Sequence, residues 1–229
     1  MRHLRQETIN TSYTIGFIMA AIAGFSDVFG FIALHQLFTA HITGNVVMAI
    51  SYSIYHIPGI SPRLIAIPTF VIFAIIATII IETHGITKFA LRIWLTIELL
   101  LFMSLMYLGI VFRDHFVVTT NTFTIIAMIP VTAMAIHNTL MKTYHRGVPV
   151  FTVMTGNLSQ LIISCTSLFL SKVNIHPENR PQRIQEIKKI GNIILGFVIG
   201  GLISTTFVYA DFYAIALLIP FFLTAMIIA

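Results

Sequence analysis

The sequence predicts an all-α integral membrane protein built from two copies of one membrane-embedded unit. Three observations carry this. Charged residues make up only 9% of the chain, where a soluble domain carries about 25%, and the mean hydropathy is +0.94. Several apolar runs reach the roughly 20 residues that a helix needs to cross about 30 Å of hydrocarbon. The tripeptide Thr-Gly-Asn occurs twice, at 43–45 and 155–157, each time inside a moderately apolar segment.

The elements follow in order. Residues 1–13 are polar, with Arg2 and Arg5, and read as a cytoplasmic N-terminal segment. The run 14–34 is longer than the 7–15 residues of a signal-peptide core, and no Ala-x-Ala-like cleavage site follows it. It reads as a first retained span. Further spans are expected over 64–84, 92–112 and 121–141. The apolar stretch 191–229 is split at Tyr209, Ala210 and Asp211 into a helical hairpin. That makes about six spanning helices. Two weaker segments, 36–57 and 147–170, hold the Thr-Gly-Asn motifs, and each continues past its motif as a good helix. Residues 14–112 form one repeat and 121–229 the other, within a single membrane domain.

The repeat is visible within the chain. Residues 42–46 match 154–158 at an offset of 112, and 24–27 match 135–138 at an offset of 111. Downstream, 70–72 match 197–199 and Thr78 matches Thr205 at an offset of 127, the surplus lying in the polar loop 171–189. The loop charges weigh whether the motif segments cross the bilayer or turn back. Of 13 Lys and Arg, eleven fall on the N-terminal side if the segments turn back, leaving Arg63 and Arg113 opposite; if they cross, the split is nine to four. The sharper bias favours re-entrant segments, with both termini cytoplasmic. Each repeat then contributes an odd number of spans, so the two are inverted relative to each other.

Thr-Gly-Asn suits a helix that begins after a non-helical entry. Thr43 and Thr155 can cap the first turn, Gly44 and Gly156 allow a sharp bend, and Asn45 and Asn157 each offer a donor and an acceptor. Non-helical backbone at membrane depth is tolerated only when buried in protein or lining a cavity. A half-helix starting there aims free N–H groups and a positive dipole end into that cavity. With inverted halves, Asn45 and Asn157 are expected side by side near the midplane, in a setting that suits a small anion or a polar neutral solute. The alternative is a packing role, with the asparagines locking the halves together.

Asp27 lies within the first span, where a carboxylate is costly; its counterpart in the second repeat is Asn138. It is a candidate for binding a proton, a cation or the solute, or for accepting hydrogen bonds from the motif helix. Glu98, inside another span, is a second proton-coupling candidate. His41, two residues before the first motif, and Gln160, one turn beyond Asn157, complete the candidate site. No two histidines share the i, i+4 spacing of a helical metal chelate. The lone Cys165 excludes an intramolecular disulfide and a cysteine zinc site. Neither metal nor cofactor is expected. Gly16, Ala20 and Gly24, and also Gly196 and Gly200, form small-residue stripes that suit helix packing. Trp94, beside Arg92, reads as an interfacial anchor.

The residues 23–31, followed by His41-Ile42-Thr43-Gly44-Asn45, resemble the bacterial YoaK-like family, also called DUF1275. Residues 138–141, 146–149 and 154–160 support the resemblance in the second half. It covers residue 14 to the C-terminus, and implies a multi-spanning protein of a bacterial inner membrane without implying an activity. The family more usually has Tyr and Val where Phe25 and Ser26 precede Asp27.

The expected function is a channel or secondary transporter for a small anion or polar neutral metabolite, sited between the repeats. The expected partners are the lipid bilayer and the solute, with a homo-oligomer left open. A membrane sensor or assembly factor is the alternative. An intramembrane enzyme is disfavoured because no known catalytic spacing is present, and nucleic-acid binding because no basic face carries aromatic partners.

Overall fold

In the computed structural model, residues 2–85, 87–113, 116–144, 154–172 and 180–228 are described. They form eight α-helices and no strand. The helices are α1 (Arg2–Ala33), α2 (Ile42–Ile54), α3 (Ile60–His84), α4 (Lys88–Val111), α5 (Asn121–Tyr144), α6 (Met154–Lys172), α7 (Arg180–Phe207) and α8 (Leu218–Ile228), with a 3-10 segment (Val208–Leu217) between the last two.

Five of these helices, α1, α3, α4, α5 and α7, are long and apolar enough to cross a membrane. The most apolar of them is the least buried, and the least apolar is largely buried. The spanning stretch of α3 has the highest hydropathy, 2.9, and is 17% buried, whereas α5 has the lowest, 1.5, and is 72% buried. In water the most apolar helix would be the core. An outer shell more apolar than the centre is stable only where the solvent is itself hydrocarbon. The protein is a multi-pass membrane protein with α1 and α5 at its centre.

The C-terminal stretch turns back after Phe207, as the expected hairpin does, but the two arms differ from the expected ones. Helix α7 starts at Arg180 rather than near residue 191, because the polar stretch 180–189 extends the helix beyond its apolar part. After Phe207 the chain tightens into the 3-10 segment of 10 residues and then the 11 residues of α8. At about 2.0 Å per residue in 3-10 form and 1.5 Å in α form, this reaches about 36 Å, enough for a sixth crossing.

Helices α1 and α7 run parallel and in close contact. Asn192 Nδ2 donates to the Tyr13 carbonyl at 2.7 Å. Further along, a Cβ at Gly196 would meet the Phe17 backbone and one at Gly200 the Ala21 backbone, while a Cβ at Gly24 would meet that of Phe197. Both small-residue stripes therefore meet each other, as their spacing predicts.

Helix α3 runs the other way. Its first turn sits at the C-terminal end of α1, where Arg63 donates to the His35 carbonyl. Helix α4 returns alongside: Gly109 packs on Phe212, and Arg92 Nε donates to the Met226 carbonyl at 3.0 Å. Helix α5 runs parallel to α3, with Val118 against Gly59 at one end and Lys142 beside Thr78 at the other. The bundle thus has a Tyr13 end and an Arg63 end.

The segment between α1 and α3 starts and finishes at the Arg63 end, so α2 does not cross. It has 13 residues, about 20 Å of helix. Its start is bonded to Asp27, two turns inside α1, and Tyr52 in its last turn returns to donate to Gln36 at 2.5 Å. This is a re-entrant helix.

Single cysteines at Arg2 and Ile57, in a Cys165→Ser background, are expected to react with an impermeant maleimide from opposite faces of the membrane; labelling of both from the same face would refute the re-entrant path of α2. Gly200→Val is expected to lower stability by about 1–3 kcal/mol, as overpacking does, read as a lower unfolding temperature in detergent.

Candidate functional site

Residues 34–41 leave α1 and run back into the bundle without regular hydrogen bonding. Two side chains satisfy that backbone. Asp27 Oδ1 accepts from the backbone N–H of Thr39 at 2.9 Å, Ala40 at 2.6 Å and His41 at 3.4 Å, and from the Thr39 hydroxyl at 3.2 Å. Its other oxygen pairs with His41 Nδ1. Asn45 takes both polar groups of one residue: Oδ1 accepts from the Phe38 N–H at 2.9 Å, and Nδ2 donates to the Phe38 carbonyl at 2.7 Å. Ser26 and Thr39 share a further hydrogen bond at 2.8 Å. Asp27 and Asn45 are buried, so each of these bonds replaces one that water would otherwise make.

These contacts divide the motif residues by role. Thr43 is not the helix cap. The helix begins one residue earlier, at Ile42, with His41 as the flanking residue and no side-chain cap. The expected cap is replaced by the Asp27 and Asn45 bonds to the entry segment, which leave Thr43 exposed in the first turn. Gly44 is required by contact, because a Cβ there would meet the Phe38 ring at 2.7 Å. The hydrogen bonds of Asp27 fall on the three residues before α2, not on its first turn.

A cavity of about 520 Å³ opens beside this turn, within the range of small-molecule sites. The first half contributes Ala40, His41, Ile42 and Thr43, with Phe70, Ala74 and Thr78 of α3; the second half contributes Asn138, Thr139, Lys142 and Thr143 of α5. Among the described residues no carboxylate lines it, and Asp27 lies behind His41. The Lys142 ammonium and the positive end of α2 therefore set its polarity. Hydroxyl and amide groups add uncharged polar contacts. Behind His41 lies a second cavity of about 380 Å³, walled by Asp27, Val28, Phe31, Ile32, Phe38 and Phe197.

The structure brings together Asp27, His41, Thr43, Gly44, Asn45 and Asn138. It sets the second motif apart. Helix α6 packs along α7, as α2 packs along α3, and α2 and α6 do not pack along each other. The amide of Asn45 is taken up by Phe38, so the expected Asn45–Asn157 pair does not form the site. Asn157 is buried, Thr155 and Gly156 are exposed, and Gln160 Nε2 donates to Glu186 Oε1 at 2.8 Å. Ser164 donates to the other oxygen of Glu186 at 2.9 Å. The entry to α6, 145–153, lies outside the described residues.

Glu98 is fully buried and pairs with His137 Nδ1 at 2.7 Å, while His137 Nε2 donates to the Met19 carbonyl at 3.0 Å. This joins α4, α5 and α1 at the centre of the bundle. Glu98 Oε1 has no hydrogen-bond partner, and neither residue lines a described cavity. Sequence reasoning missed His137 as the partner, although a histidine in an apolar run was the available signal. It also missed Lys142, which reads as topogenic charge until the fold turns it toward the cavity. Among the described residues, no group of three His, Cys, Asp or Glu side chains could hold a metal ion.

These features define a multi-pass α-helical membrane protein with a re-entrant helix beside a cavity that both halves of the chain line. The chain belongs to the family described as "Protein of unknown function (DUF1275)", whose model matches residues 15–229. No curated protein and no solved structure matches it.

Asn45→Ala is expected to destabilise the protein by about 1–3 kcal/mol for each Phe38 group left unpaired, whereas Thr43→Val stays within about 0.5 kcal/mol. Thermal unfolding of both variants checks this; a larger loss for Thr43→Val would overturn the division of roles.

Proposed function

We propose that the protein is a channel or secondary transporter for a small anion or a polar neutral metabolite, with its site in the cavity beside the first turn of α2. The carrying observation is that this cavity is shared: one half supplies His41 and Thr43 at a helix start, the other supplies Asn138 and Lys142. A site between two halves, at a broken helix within the membrane, is a recurring plan of secondary transporters.

The helix packing supports reading the halves as inverted repeats. Exchanging α1–α4 for α5–α8 turns the α1–α7 contact into α5–α3, α1–α8 into α5–α4, and α2–α3 into α6–α7, and all of these contacts occur. The charge distribution supports a plasma-membrane location with both termini cytoplasmic. Arg63 and Arg113 belong to the Arg63 end, and the other basic residues to segments joined to the Tyr13 end. Asp27 and Glu98 are the proton-coupling candidates, each already held by a histidine. Asp27 borders the solute cavity through His41, which makes it the nearer of the two to a coupled solute.

The test is a thermal-shift screen of the purified protein against small anions, polar neutral metabolites and nucleobases, beside Lys142→Gln and Thr43→Val. A ligand at about 100 times its Kd stabilises by about 2.7 kcal/mol. Hits among anions larger than formate are expected, lost in Lys142→Gln. A blank screen, or hits that persist in both variants, would move the protein toward the alternative of a membrane sensor or assembly factor.

A further inference from the structure

Arg63 is among the largest fully buried side chains of the protein, at 1% exposure. An arginine is almost never buried to this extent unless it is paired. Among the described residues no carboxylate lies within ion-pair distance of it. Its two terminal nitrogens donate to the carbonyls of Gly59 and His35. The guanidinium also sits 4.1 Å from the centre of the Tyr52 ring. Those partners are neutral, and the buried Nε–H has no acceptor. The positive charge is therefore solvated by dipoles and a ring face, with no opposite charge supplied by the described part of the chain.

The same residue borders a pocket of about 130 Å³ at the Arg63 end, with His35, Gln36, Tyr52, Ile57, Pro58 and Val118. Among the described residues, the pocket wall holds several donors and no acid. The Gln36 carbonyl oxygen accepts from Tyr52 at 2.5 Å, which assigns the oxygen to Tyr52 and leaves the amide N–H groups as donors. His35 and Gln36 both have left-handed backbone, at φ 51 and φ 64. Non-glycine residues held in that region cluster at functional sites. The strained pair lies where the chain turns from α1 into the re-entrant segment, and it points the His35 carbonyl at Arg63.

We propose that this pocket binds a small monovalent anion, of the size class of chloride, nitrate or formate, with Arg63 as its counter-charge. One water occupies about 30 Å³, so the pocket holds an anion of a few heavy atoms and excludes a sugar acid. The site is separate from the cavity at Lys142, which lies toward the Tyr13 end, and it does not depend on the transport reading. A bound anion would neutralise the charge that ties the end of α1, the last turn of α2 and the start of α3 together.

The experiment is thermal unfolding of the full chain in detergent, titrating sodium chloride, nitrate or formate against sodium gluconate at constant ionic strength. The small anions are expected to raise the unfolding temperature saturably over gluconate. Val118→Phe, which fills the pocket and leaves the guanidinium intact, is expected to abolish the shift. Gln36→Ala serves as a second variant should Val118→Phe fail to fold, and is expected to weaken the apparent affinity about tenfold, the worth of one charge-assisted hydrogen bond. Lys142→Gln is expected to leave the shift unchanged. Equal unfolding temperatures in all four salts would overturn the proposal. So would a shift that survives both pocket variants, or one that Lys142→Gln removes. The last outcome assigns the anion to the larger cavity and leaves the proposed solute site standing.

Discussion

A chain that leaves its helix inside a bilayer gives up backbone hydrogen bonds where no water replaces them. Residues 34–41 do this, and the rest of the site depends on how the loss is made good. Asp27 accepts three consecutive backbone N–H groups from the entry segment, and Asn45 closes on both polar groups of Phe38. One side chain comes from α1 and the other from α2 itself, so the segment is held from both sides. Only with that backbone satisfied can α2 start two turns below the end of α1, and only then does its positive end face a cavity rather than an interface. The motif's asparagine is thus a backbone partner, and its threonine is the residue that meets the cavity.

The same accounting explains the polar groups at the centre of the bundle. Asp27 and Glu98 are buried carboxylates, and each is answered by a histidine, His41 or His137. An isolated buried charge is costly and a paired one much less so. The two pairs differ in what they face. His41 stands between a polar cavity and an apolar one, while His137 is enclosed by α1, α4 and α5. Their positions differ accordingly: one borders the larger cavity, and the other ties together the two central helices and α4.

Packing follows from composition in a way particular to membranes. Because lipid is as apolar as leucine, hydrophobicity does not select which helix goes inside; close backbone approach and polar contacts do. Helix α1 earns its central place through Gly24 against α7, through Asp27, and through the Met19 carbonyl that receives His137. Helix α5 is central through His137 and Asn138. Helix α3, richest in isoleucine, packs on α5 and α2 along one side and turns most of its surface to lipid.

Much of this was legible in the residues. Apolar runs of sufficient length can form only helices in hydrocarbon, because only a helix satisfies its own backbone there; that alone determined the fold class and five of the spans. The paired motifs and loop charges pointed to re-entrant segments and to Asp27, His41 and Thr43 at one site, since buried polar residues in a bilayer need a reason. The partners of those residues were not legible. Nothing in the spacing of Asp27 and Thr39, Asn45 and Phe38, Glu98 and His137, or Arg63 and His35 joins them, for each pair meets only when separate elements fold together. Nor could charge counting reveal that Lys142 lines the cavity. Sequence determined which segments enter the membrane, because that depends on each segment's own transfer energy. Tertiary structure decided which polar groups face a cavity and which are consumed in holding it open, because that depends on the distances between segments.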